Sequence, residues 1–425
     1  MSDTISSQPE DPGQPDAHKE RRPLSVVLIA LAVVVVLVVG TVVVRNMIVQ
    51  PRSPDVAWTA YSGIGAYATA VAVADDGSVF VVGSVYSGST FSPHEATVTK
   101  LSAAGETVWR LNVPSTNGPG EFQISGVAIA PNGNIILVGQ WEPWESARPS
   151  QKPQRAVIYC LSPEGTLIWH QTIGQGNGRF DSFYKVATFA DDSIVVVGHV
   201  TVYNSDNDMS GGSTGQNVIA KFTPEGTLTW WKTSSDLGLD AAFTDVAVGP
   251  DGRILVCGDK EDPPGGSVVA SLTTDGETIW TEHTDQFGLT AIAVAPDGSI
   301  VVGIVASSWN NPGFVAKYTH DGDMVWSTNN TTWPKDWGLM RDVSITQDGH
   351  VIAVGASCPD GQKYAAVVSF DPDGAISWTK TIGGIRPMSS ELRNVAVAQD
   401  GRVVATGAIC ITHGYCADVV TIEAG

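Results

Sequence analysis

A four-strand unit recurs seven times along the chain, and this repeat constrains the fold more than any other feature of the sequence. Each copy opens with an apolar stretch, an Asp-Gly or Asn-Gly pair and a β-branched run, as in VAVADDGSVFVVG (71–83) and VAVGPDGRILVCG (246–258). A second hairpin follows after a variable loop, as in VIYCLSPEGTLIWHQTI (157–173). The glycines that close the first hairpins are Gly83, Gly139, Gly198, Gly258, Gly303, Gly355 and Gly407, spaced by 45 to 60 residues. Four short strands at this period are typical of a propeller blade, so the sequence predicts an all-β, seven-bladed β-propeller.

Turn chemistry explains why each copy forms hairpins. Glycine adopts positive φ without steric cost, which tight hairpin turns require. The glycines of the second hairpins are Gly105, Gly165, Gly226, Gly276, Gly322 and Gly374. Runs such as SIVVVG and NIILVG are apolar at every position, which indicates blades covered on both faces by their neighbours. The third copy departs from the pattern, because ADDSIVVVG (190–198) lacks the turn glycine.

The positions of the tryptophans predict how the ring closes. The fourth strand of six copies ends in tryptophan, at Trp109, Trp169, Trp230, Trp280, Trp326 and Trp378. No such strand follows the seventh copy, but Trp58 in VAWTAY (56–61) has the same context and precedes Trp109 by 51 residues. We therefore expect this N-terminal strand to complete the last blade by pairing with VVTIEA (419–424), which buries the strand edges at both ends of the repeat.

An uncharged apolar run precedes the propeller. Residues 24–44, LSVVLIALAVVVVLVVGTVVV, would form about 31 Å of helix, which matches the hydrocarbon core of a bilayer. A cleaved signal peptide is the alternative, but the run is too long and no small-residue cleavage site follows it. The sequence thus predicts a disordered tail (1–23), one uncleaved transmembrane helix (24–44), a linker (45–54) and a propeller ectodomain (55–425).

Charge suggests the orientation and limits the partners. Arg21 and Arg22 directly precede the apolar run, which favours a cytoplasmic N-terminus and an extracellular propeller in a single-pass membrane protein. The chain holds 24 Lys and Arg against 44 Asp and Glu, a formal charge of −20. Nucleic-acid partners are therefore not expected, because neutralising phosphates requires clustered cations.

The repeat resembles the bacterial SBBP-type β-propeller repeat and, more distantly, the PQQ-like propellers. The Gly-x-x-x-Trp pattern of the latter is matched by Gly105-Glu-Thr-Val-Trp109 and Gly165-Thr-Leu-Ile-Trp169. The resemblance covers about residues 55–425 and implies the propeller fold, whereas such repeats serve many functions. PQQ-dependent dehydrogenases usually have eight blades and a pair of adjacent cysteines. This chain departs from both features, and we predict no cofactor.

The cysteines give weak chemical signals. Cys160 and Cys257 lie within predicted strands, where small buried side chains are the expected role. Cys410 and Cys416 flank a five-residue loop in the last blade. The sequence is compatible with a disulfide between these two cysteines and equally with two free thiols. Cys358 has no partner in its own hairpin.

Metal-binding patterns are weak as well. No His-Glu-x-x-His or Cys-x-x-Cys pattern is present, so no transition-metal site is predicted. Asp206 and Asp208 resemble half of a calcium-binding loop, but Met209 replaces the turn glycine. A solvated acidic loop is the alternative.

Five tryptophans lie outside the strand motif. In a four-strand meander, the connections after the second and fourth strands emerge on one face of the disc, and the long segments of this chain are all of that kind. The five are Trp141, Trp144, Trp309, Trp333 and Trp337. Exposed indoles are typical of binding surfaces, so these residues are the predicted ligand-binding set. The alternative is that they pack the loops against the rim.

The sequence favours a non-catalytic membrane-anchored propeller whose loop-rich face binds an envelope glycan, a cell-wall polymer or a protein. Two other classes stay open. One is a quinoprotein-like oxidoreductase or another propeller enzyme that uses the central channel. The other is an envelope assembly scaffold that acts through protein contacts.

Overall fold

The chain divides into two units, Met1–Arg52 and Ser53–Gly425, and everything described below belongs to the second. The computed structural model describes residues 54–60, 68–86, 94–114, 118, 120–143, 154–173, 181–202, 214–260, 265–286, 288–304, 313–328, 337–359, 361–383, 389–412 and 415–423. Within these ranges, no helix has the length and apolar character needed to cross a bilayer. The predicted membrane span, residues 24–44, lies outside them, as does the predicted tail.

Seven antiparallel sheets of four strands make up the described part of the chain, and they confirm the predicted all-β, seven-bladed propeller. The strands, numbered in chain order, fall into blades as follows. Blade 1 contains β2 (Ala68–Val73), β3 (Val79–Tyr86), β4 (His94–Leu101) and β5 (Thr107–Asn112); blade 2 contains β6 (Gly120–Ile129), β7 (Ile135–Pro143), β8 (Arg155–Leu161) and β9 (Leu167–Ile173); blade 3 contains β10 (Ser182–Thr188), β11 (Ile194–Val202), β12 (Thr214–Phe222) and β13 (Leu228–Thr233). Blade 4 contains β14 (Ala241–Val248), β15 (Ile254–Lys260), β16 (Ser267–Leu272) and β17 (Thr278–Thr284); blade 5 contains β18 (Leu289–Val294), β19 (Ile300–Ile304), β20 (Phe314–Tyr318) and β21 (Met324–Ser327). Blade 6 contains β22 (Trp337–Ile345), β23 (Val351–Ser357), β24 (Tyr364–Phe370) and β25 (Ile376–Ile382); blade 7 contains β26 (Glu391–Val397), β27 (Val403–Thr412), β28 (Tyr415–Ile422) and β1 (Val56–Ala60).

The N-terminal strand closes the ring, as predicted. β1 pairs with β28 in the order Val56↔Ile422, Trp58↔Thr421 and Thr59↔Val420. The first strand of each blade contacts the first strand of the next blade, and β26 of blade 7 contacts β2 of blade 1. The two ends of the repeat thus meet in one sheet.

Tight turns join the first strand to the second in every blade, and the third to the fourth in blades 1 to 6. Each turn has five residues and two backbone hydrogen bonds. In the first turn, the carbonyl of Ala74 accepts from the N–H of Gly77, the fourth residue, and the N–H of Ala74 donates to the carbonyl of Ser78, the fifth. The fourth residue has positive φ: it is glycine in most turns, with φ of 79° at Gly77. In the third copy, where the sequence lacks glycine, Asp192 adopts the same conformation with φ of 65°. Aspartate is among the few residues that tolerate this region, which explains why the turn survives.

The tryptophans of the outer strands join adjacent blades. A Cβ added to Gly226 would lie 2.7 Å from the ring of Trp169 in the preceding blade, and the Trp169 indole donates to the carbonyl of Pro224, 2.9 Å away. Trp58 repeats this geometry across the ring closure: a Cβ at Gly105 would lie 2.6 Å from its ring. The glycine of each Gly-x-x-x-Trp pattern therefore receives a tryptophan from the preceding blade rather than its own.

The hydrophobic core lies between blades. Each of the seven buried clusters combines residues from two neighbouring sheets, so there are as many clusters as blade interfaces. The cluster at the closure contains Val79 and Val81 from blade 1 with Val404 and Val419 from blade 7. Strands that are apolar on both faces are therefore required, which is what the sequence pattern predicted.

One predicted closing glycine is displaced. Gly139 and its counterparts lie opposite the bulged first strand, and a Cβ at Gly139 would approach the Gln123 carbonyl to 1.9 Å. Gly303 was assigned the same role, but it pairs with Ala291 while Ile304 occupies the equivalent position opposite Leu289. A Cβ at Gly303 would meet side-chain atoms of Met340 instead of backbone. The glycine of blade 5 thus makes room for a methionine of blade 6.

Candidate functional site at the loop face

The two faces of the disc differ. We call the face with the five-residue turns the turn face, and the opposite one the loop face; on the loop face, second strands connect to third strands and each blade connects to the next. The first strands surround the central channel, as in propellers generally, and begin at the loop face. Each of them carries a bulge near that end, where one residue has no partner on the second strand.

The bulged residue and the one after it differ between blades. In blades 1 to 7 the bulged residues are Thr69, Ser125, Tyr184, Thr244, Thr290, Arg341 and Arg393. The following residues are Ala70, Gly126, Lys185, Asp245, Ala291, Asp342 and Asn394. Charged groups thus appear in blades 3, 4, 6 and 7.

Two of these aspartates tie one blade to the next. Asp245 accepts a hydrogen bond from the N–H of Ile292 in blade 5 at 3.0 Å, and Asp342 accepts one from the N–H of Val395 in blade 7 at 2.9 Å. The other oxygen of each carboxylate accepts the N–H of the next residue along the chain, at 2.8 and 3.0 Å. Both carboxylates are therefore held by backbone donors, an arrangement that fixes blade geometry.

Lys185 couples electrostatically to both aspartates. Its ammonium lies 3.9 Å from Oδ2 of Asp245, and the two side chains are 27% and 9% exposed. Burial raises the pKa of Asp342 to about 6; Lys185 opposes this rise and the like charge of Asp245 adds to it. Burial raises the pKa of Asp245 as well. One lysine beside two buried carboxylates leaves an excess negative charge, so the ionised forms of both aspartates are disfavoured.

A second charged group lies where blades 6 and 7 meet at the loop face. We call Arg341, Lys363, Glu391 and Arg393 the mouth cluster. Oε1 of Glu391 lies 2.6 Å from Nε of Arg341 and 3.9 Å from Nε of Arg393, and Oε2 lies 3.3 Å from the ammonium of Lys363. The Glu391 side chain is 11% exposed, whereas the three cations are 31 to 40% exposed.

Electrostatics keep the central carboxylate of the mouth cluster ionised. Burial alone would raise the pKa of Glu391, but the charges and hydrogen bonds of Arg341 and Lys363 outweigh it and lower that pKa. The backbone supports the same contact, because the N–H of Ser390 donates to the Lys363 carbonyl at 2.9 Å. The cluster therefore joins the two blades and presents its cations to solvent.

The predicted tryptophan site is only partly described. Trp141 lies in β7, is 5% exposed and packs in the core between blades 1 and 2, with the Arg155 guanidinium 5.6 Å from its ring. The expectation of an exposed indole is thus wrong for Trp141, and the alternative of packing describes it. Trp337 has a described backbone, opposite Ser357, but no described side chain. Trp144, Trp309 and Trp333 lie outside the described residues.

The cysteines follow the predicted roles where they are described. Cys160 and Cys257 are buried free thiols, and burial raises the pKa of Cys160 to about 11, which leaves that thiol protonated. Cys410 and Cys416 pair directly in the register of β27 and β28, so their backbones oppose each other across the hairpin. Their disulfide stays a prediction.

No metal site is found among the described residues, none of which form a group of three or more His, Cys, Asp or Glu suited to an ion. Asp206 and Asp208, the weak calcium candidates, lie outside them.

The mouth cluster was not predicted from the sequence. A signal was present, because aligning the repeats at the bulge places arginine in blades 6 and 7, in LMRDV and LRNVA, where three other blades carry threonine. Sequence alone did not reveal that both arginines meet one glutamate.

Comparison with known proteins supports a PQQ-like propeller. Residues 214–424, just under half of the chain, match the family model described as "Outer membrane protein assembly factor BamB". The match begins with β12 and covers blades 4 to 6 and three of the four strands of blade 7. No curated protein sequence matches the chain.

Several solved structures are similar to the chain at low sequence identity. The Dos1 propeller is 12% identical with a TM-score of 0.46, covering 87% of this chain and 94% of that one. Sqt1 from Chaetomium thermophilum is 10% identical with a TM-score of 0.48, covering 88% and 99%. The polysaccharide lyase Uly1 is 12% identical with a TM-score of 0.48, covering 85% and 91%. At these scores the likenesses carry no argument about function.

Proposed function

We propose that this protein is a non-catalytic, membrane-tethered scaffold that binds a protein partner of the cell envelope through its loop face. The observation that carries the proposal is the match of residues 214–424 to a family described as an outer membrane protein assembly factor. That range includes blades 6 and 7, where the mouth cluster presents three cations at the loop face. Partly exposed arginines at one face of a rigid ring are typical of protein-binding surfaces.

The tether belongs to the proposal. In our proposal residues 24–44 cross the membrane once, the N-terminus is cytoplasmic and the propeller is extracellular. Alkaline extraction of membranes and protease protection of the full chain test this. The chain should stay in the membrane pellet, and protease added outside the cell should reach the propeller. Release of the chain by alkali would contradict the anchor.

Site-specific photocrosslinking tests the binding face. A photoreactive amino acid at Ser389 lies beside the mouth cluster on the loop face, and one at Gln399 lies on the turn face of the same blade; both positions are exposed. In membranes containing the full chain, we expect a discrete protein adduct from Ser389 and none from Gln399. The absence of a protein adduct at Ser389, or the same adducts at both positions, would argue against the proposal.

Glycan binding is a second candidate only through the tryptophans. Trp141 is buried, so the prediction now concerns Trp144, Trp309, Trp333 and Trp337. No described contact favours it over a protein partner.

A further inference from the structure

Exposed apolar side chains concentrate on the outer rim of the disc. Nine large apolar side chains are exposed among the described residues, and eight of them lie on fourth strands, the outermost strands of the blades. The most exposed are Met324 at 60%, Val108 at 57% and Val325 at 53%. Within the described part of the chain, only blade 5 places two side chains above 50% next to each other.

Ile279 of blade 4 extends this apolar surface toward the next outer strand. It is 43% exposed and precedes Trp280. The Trp280 ring would lie 2.9 Å from a Cβ at Gly322, two residues before Met324. The two outer strands are therefore neighbours at this height, and we call Ile279, Met324 and Val325 the rim patch.

Other blades show that the fold does not require apolar side chains at these positions. Val325 occupies the bulge of its outer strand, where blades 3 and 6 carry Thr229 and Ser377. Met324 pairs with the last residue of the third strand, a position that Thr278 fills in blade 4. Threonine suits a strand equally well. An exposed apolar patch that the fold does not require is typical of a binding surface.

Four exposed carboxylates flank the rim patch. They lie in the second turns of blades 4 and 5, at Asp275, Glu277, Asp321 and Asp323. The turns are held by threonine hydroxyls instead, because the N–H of Glu277 donates to Thr273 and the N–H of Asp323 donates to Thr319, both at 3.1 Å. The geometry of these turns therefore does not account for the carboxylates.

Two cations offset part of this negative charge. The Lys232 ammonium lies 2.6 Å from Glu277, and the Arg253 guanidinium lies 3.8 Å from Asp321. Arg253 also pairs more closely with Asp251, at 3.0 Å. The Glu277 and Asp321 side chains stay 75% and 81% exposed, so both pairs lie in solvent, where ion pairs are weak.

The other two carboxylates keep their full charge. Asp275 and Asp323 have no ion pair within the described residues. The imidazole of His320 lies 3.3 Å from Asp251 in the first turn of blade 4, and Lys317 of β20 is only 8% exposed. Four carboxylates against Lys232 and Arg253, with histidine neutral, leave a local charge of −2.

The rest of the turn face has the same sign of charge. Its thirteen five-residue turns together contain 17 carboxylates and two arginines, Arg253 and Arg402. A second copy of this chain is therefore repelled at the rim patch, and so is an anionic lipid surface. A positively charged segment is attracted, and the flexible side chain of Met324 adapts to apolar groups of different shape.

We propose that a cationic amphipathic segment of a partner protein binds at the rim patch. Its apolar side chains pack on the rim patch, and its lysine or arginine side chains lie beside Asp275 and Asp323. This second binding surface goes beyond the proposed function, because it lies on the rim near the turn face and does not involve the loop face.

Site-specific photocrosslinking to a defined peptide tests the proposal, with the full chain in vesicles of zwitterionic phospholipid. A photoreactive amino acid replaces Val325, and in the matched control it replaces Val108, which occupies the outer-strand bulge of blade 1. The peptide is a biotinylated dodecapeptide of alternating leucine and lysine. Half-maximal adduct at Val325 should require an at least about fivefold lower peptide concentration than at Val108, because the second turn of blade 1 carries one carboxylate, Glu106.

Charge variants in the Val325 background separate the carboxylates of the rim patch from the overall charge. Asp275→Asn/Asp323→Asn should raise the half-saturating peptide concentration at least about threefold, since two ion pairs with the peptide are lost. The matched control, Glu106→Gln/Glu164→Gln, removes the same charge from the second turns of blades 1 and 2. It should change that concentration less than about twofold, because salt screens charges on distant blades.

An apolar variant guards against a folding defect in the charge variants. Met324→Thr introduces the residue that blade 4 carries at this position, so the urea midpoint should be unchanged. The half-saturating peptide concentration should rise about threefold, because less apolar surface is buried on binding. A peptide of alternating serine and lysine should crosslink at Val325 at least about tenfold more weakly than the leucine-lysine peptide.

Three results would overturn the proposal. They are equal half-saturating concentrations at Val325 and Val108, equal effects of the two pairs of charge variants, and equal crosslinking of the serine-lysine and leucine-lysine peptides. The loop-face function is judged separately, because its photoreactive group is at Ser389. If Val325 gives no peptide adduct while the Ser389 protein adduct persists, the rim-patch proposal fails and the scaffold function stands.

Discussion

The pH dependence of stability should reveal the buried carboxylate of Asp342. In the folded protein this carboxyl has a pKa raised to about 6, chiefly by burial, against an ordinary value of 3.8. Replacement by asparagine keeps the size of the side chain and removes its charge. The asparagine amide replaces one of the two oxygens that accept backbone N–H bonds, a loss that is the same at every pH. The pH dependence of the difference between Asp342→Asn and the unmodified chain therefore isolates the effect of the charge.

The magnitude follows from the shift. A difference of about two pKa units corresponds to about 3 kcal/mol, because each unit is worth about 1.4 kcal/mol. Between the two pKa values the folded state binds more protons than the unfolded state, so the contribution of Asp342 to the free energy of unfolding falls as the pH rises through 6. Asparagine does not titrate in this range, so it makes no pH-dependent contribution to the free energy of unfolding. From about pH 4.5 to pH 7.5 the stability of Asp342→Asn relative to the unmodified chain should thus improve by about 2 kcal/mol.

Urea unfolding of the detergent-solubilised full chain measures this difference in the free energy of unfolding. Tryptophan fluorescence is the signal, and the unmodified chain and the variant are compared at each pH. Asp297→Asn is the control of opposite sign. A hydrogen bond from the Ser299 hydroxyl lowers the pKa of Asp297 most strongly, so its stabilising contribution is present at neutral pH and lost as the pH falls. A stability difference for Asp342→Asn that does not vary with pH, or that moves against the variant as the pH rises, would refute the reasoning.

Three other predictions concern the ring. Gly374→Ala should lower the free energy of unfolding by about 2–3 kcal/mol and Gly349→Ala by about 1 kcal/mol. Both glycines have φ near 86°, but only a Cβ at Gly374 would lie 2.7 Å from the Trp326 ring. Thermal melts compare the two variants, and equal costs would contradict the packing role of Gly374. Trp58→Ala should cost about 2–4 kcal/mol and speed proteolysis at the closure, because its ring packs on blade 1; an unchanged urea midpoint would count against closure by this strand. Asp192→Ala should cost about 1 kcal/mol more than Asp192→Gly by the same assay, since φ is 65° there and both variants lose the bond from the Asn132 N–H to the Asp192 carboxylate.

Much of the fold was predictable because its determinants are local and repeated. Positive φ at a turn requires glycine or a tolerant residue, so the Asp-Gly pairs mark the hairpins in the sequence. The closure was predictable because Trp58 lies in the same local context as the other outer-strand tryptophans, and β1 pairs with β28 as that context implied. The strand register within blade 5 was not predictable. Gly303 is displaced by one position, and the sequence does not show that this glycine accommodates Met340 of blade 6.

The candidate site was less accessible from the sequence because it depends on contacts between distant residues. Arg341 and Glu391 are 50 residues apart, and Lys363 and Glu391 are 28 apart. Their proximity follows only when blades 6 and 7 are packed side by side. Trp141 illustrates the reverse problem: a tryptophan near a loop suggested exposure, but its strand continues far enough to bury it against Phe122.

Differences between equivalent positions separate what the fold requires from what it merely permits. At the bulge, the hydroxyls of Thr69 and Thr244 donate to carbonyls of the next blade at 2.8 and 2.6 Å, so a small hydroxyl side chain meets the structural need. Arg341 and Arg393 occupy the same position without such a hydroxyl, and Arg341 instead reaches a carboxylate of the next blade. Threonine at those two positions would satisfy the bulge without placing charge at the channel mouth. A closed ring therefore permits either side chain at the bulge, and in blade 6 an ion pair from Arg341 to Glu391 stands where blades 1 and 4 have a threonine hydroxyl bond.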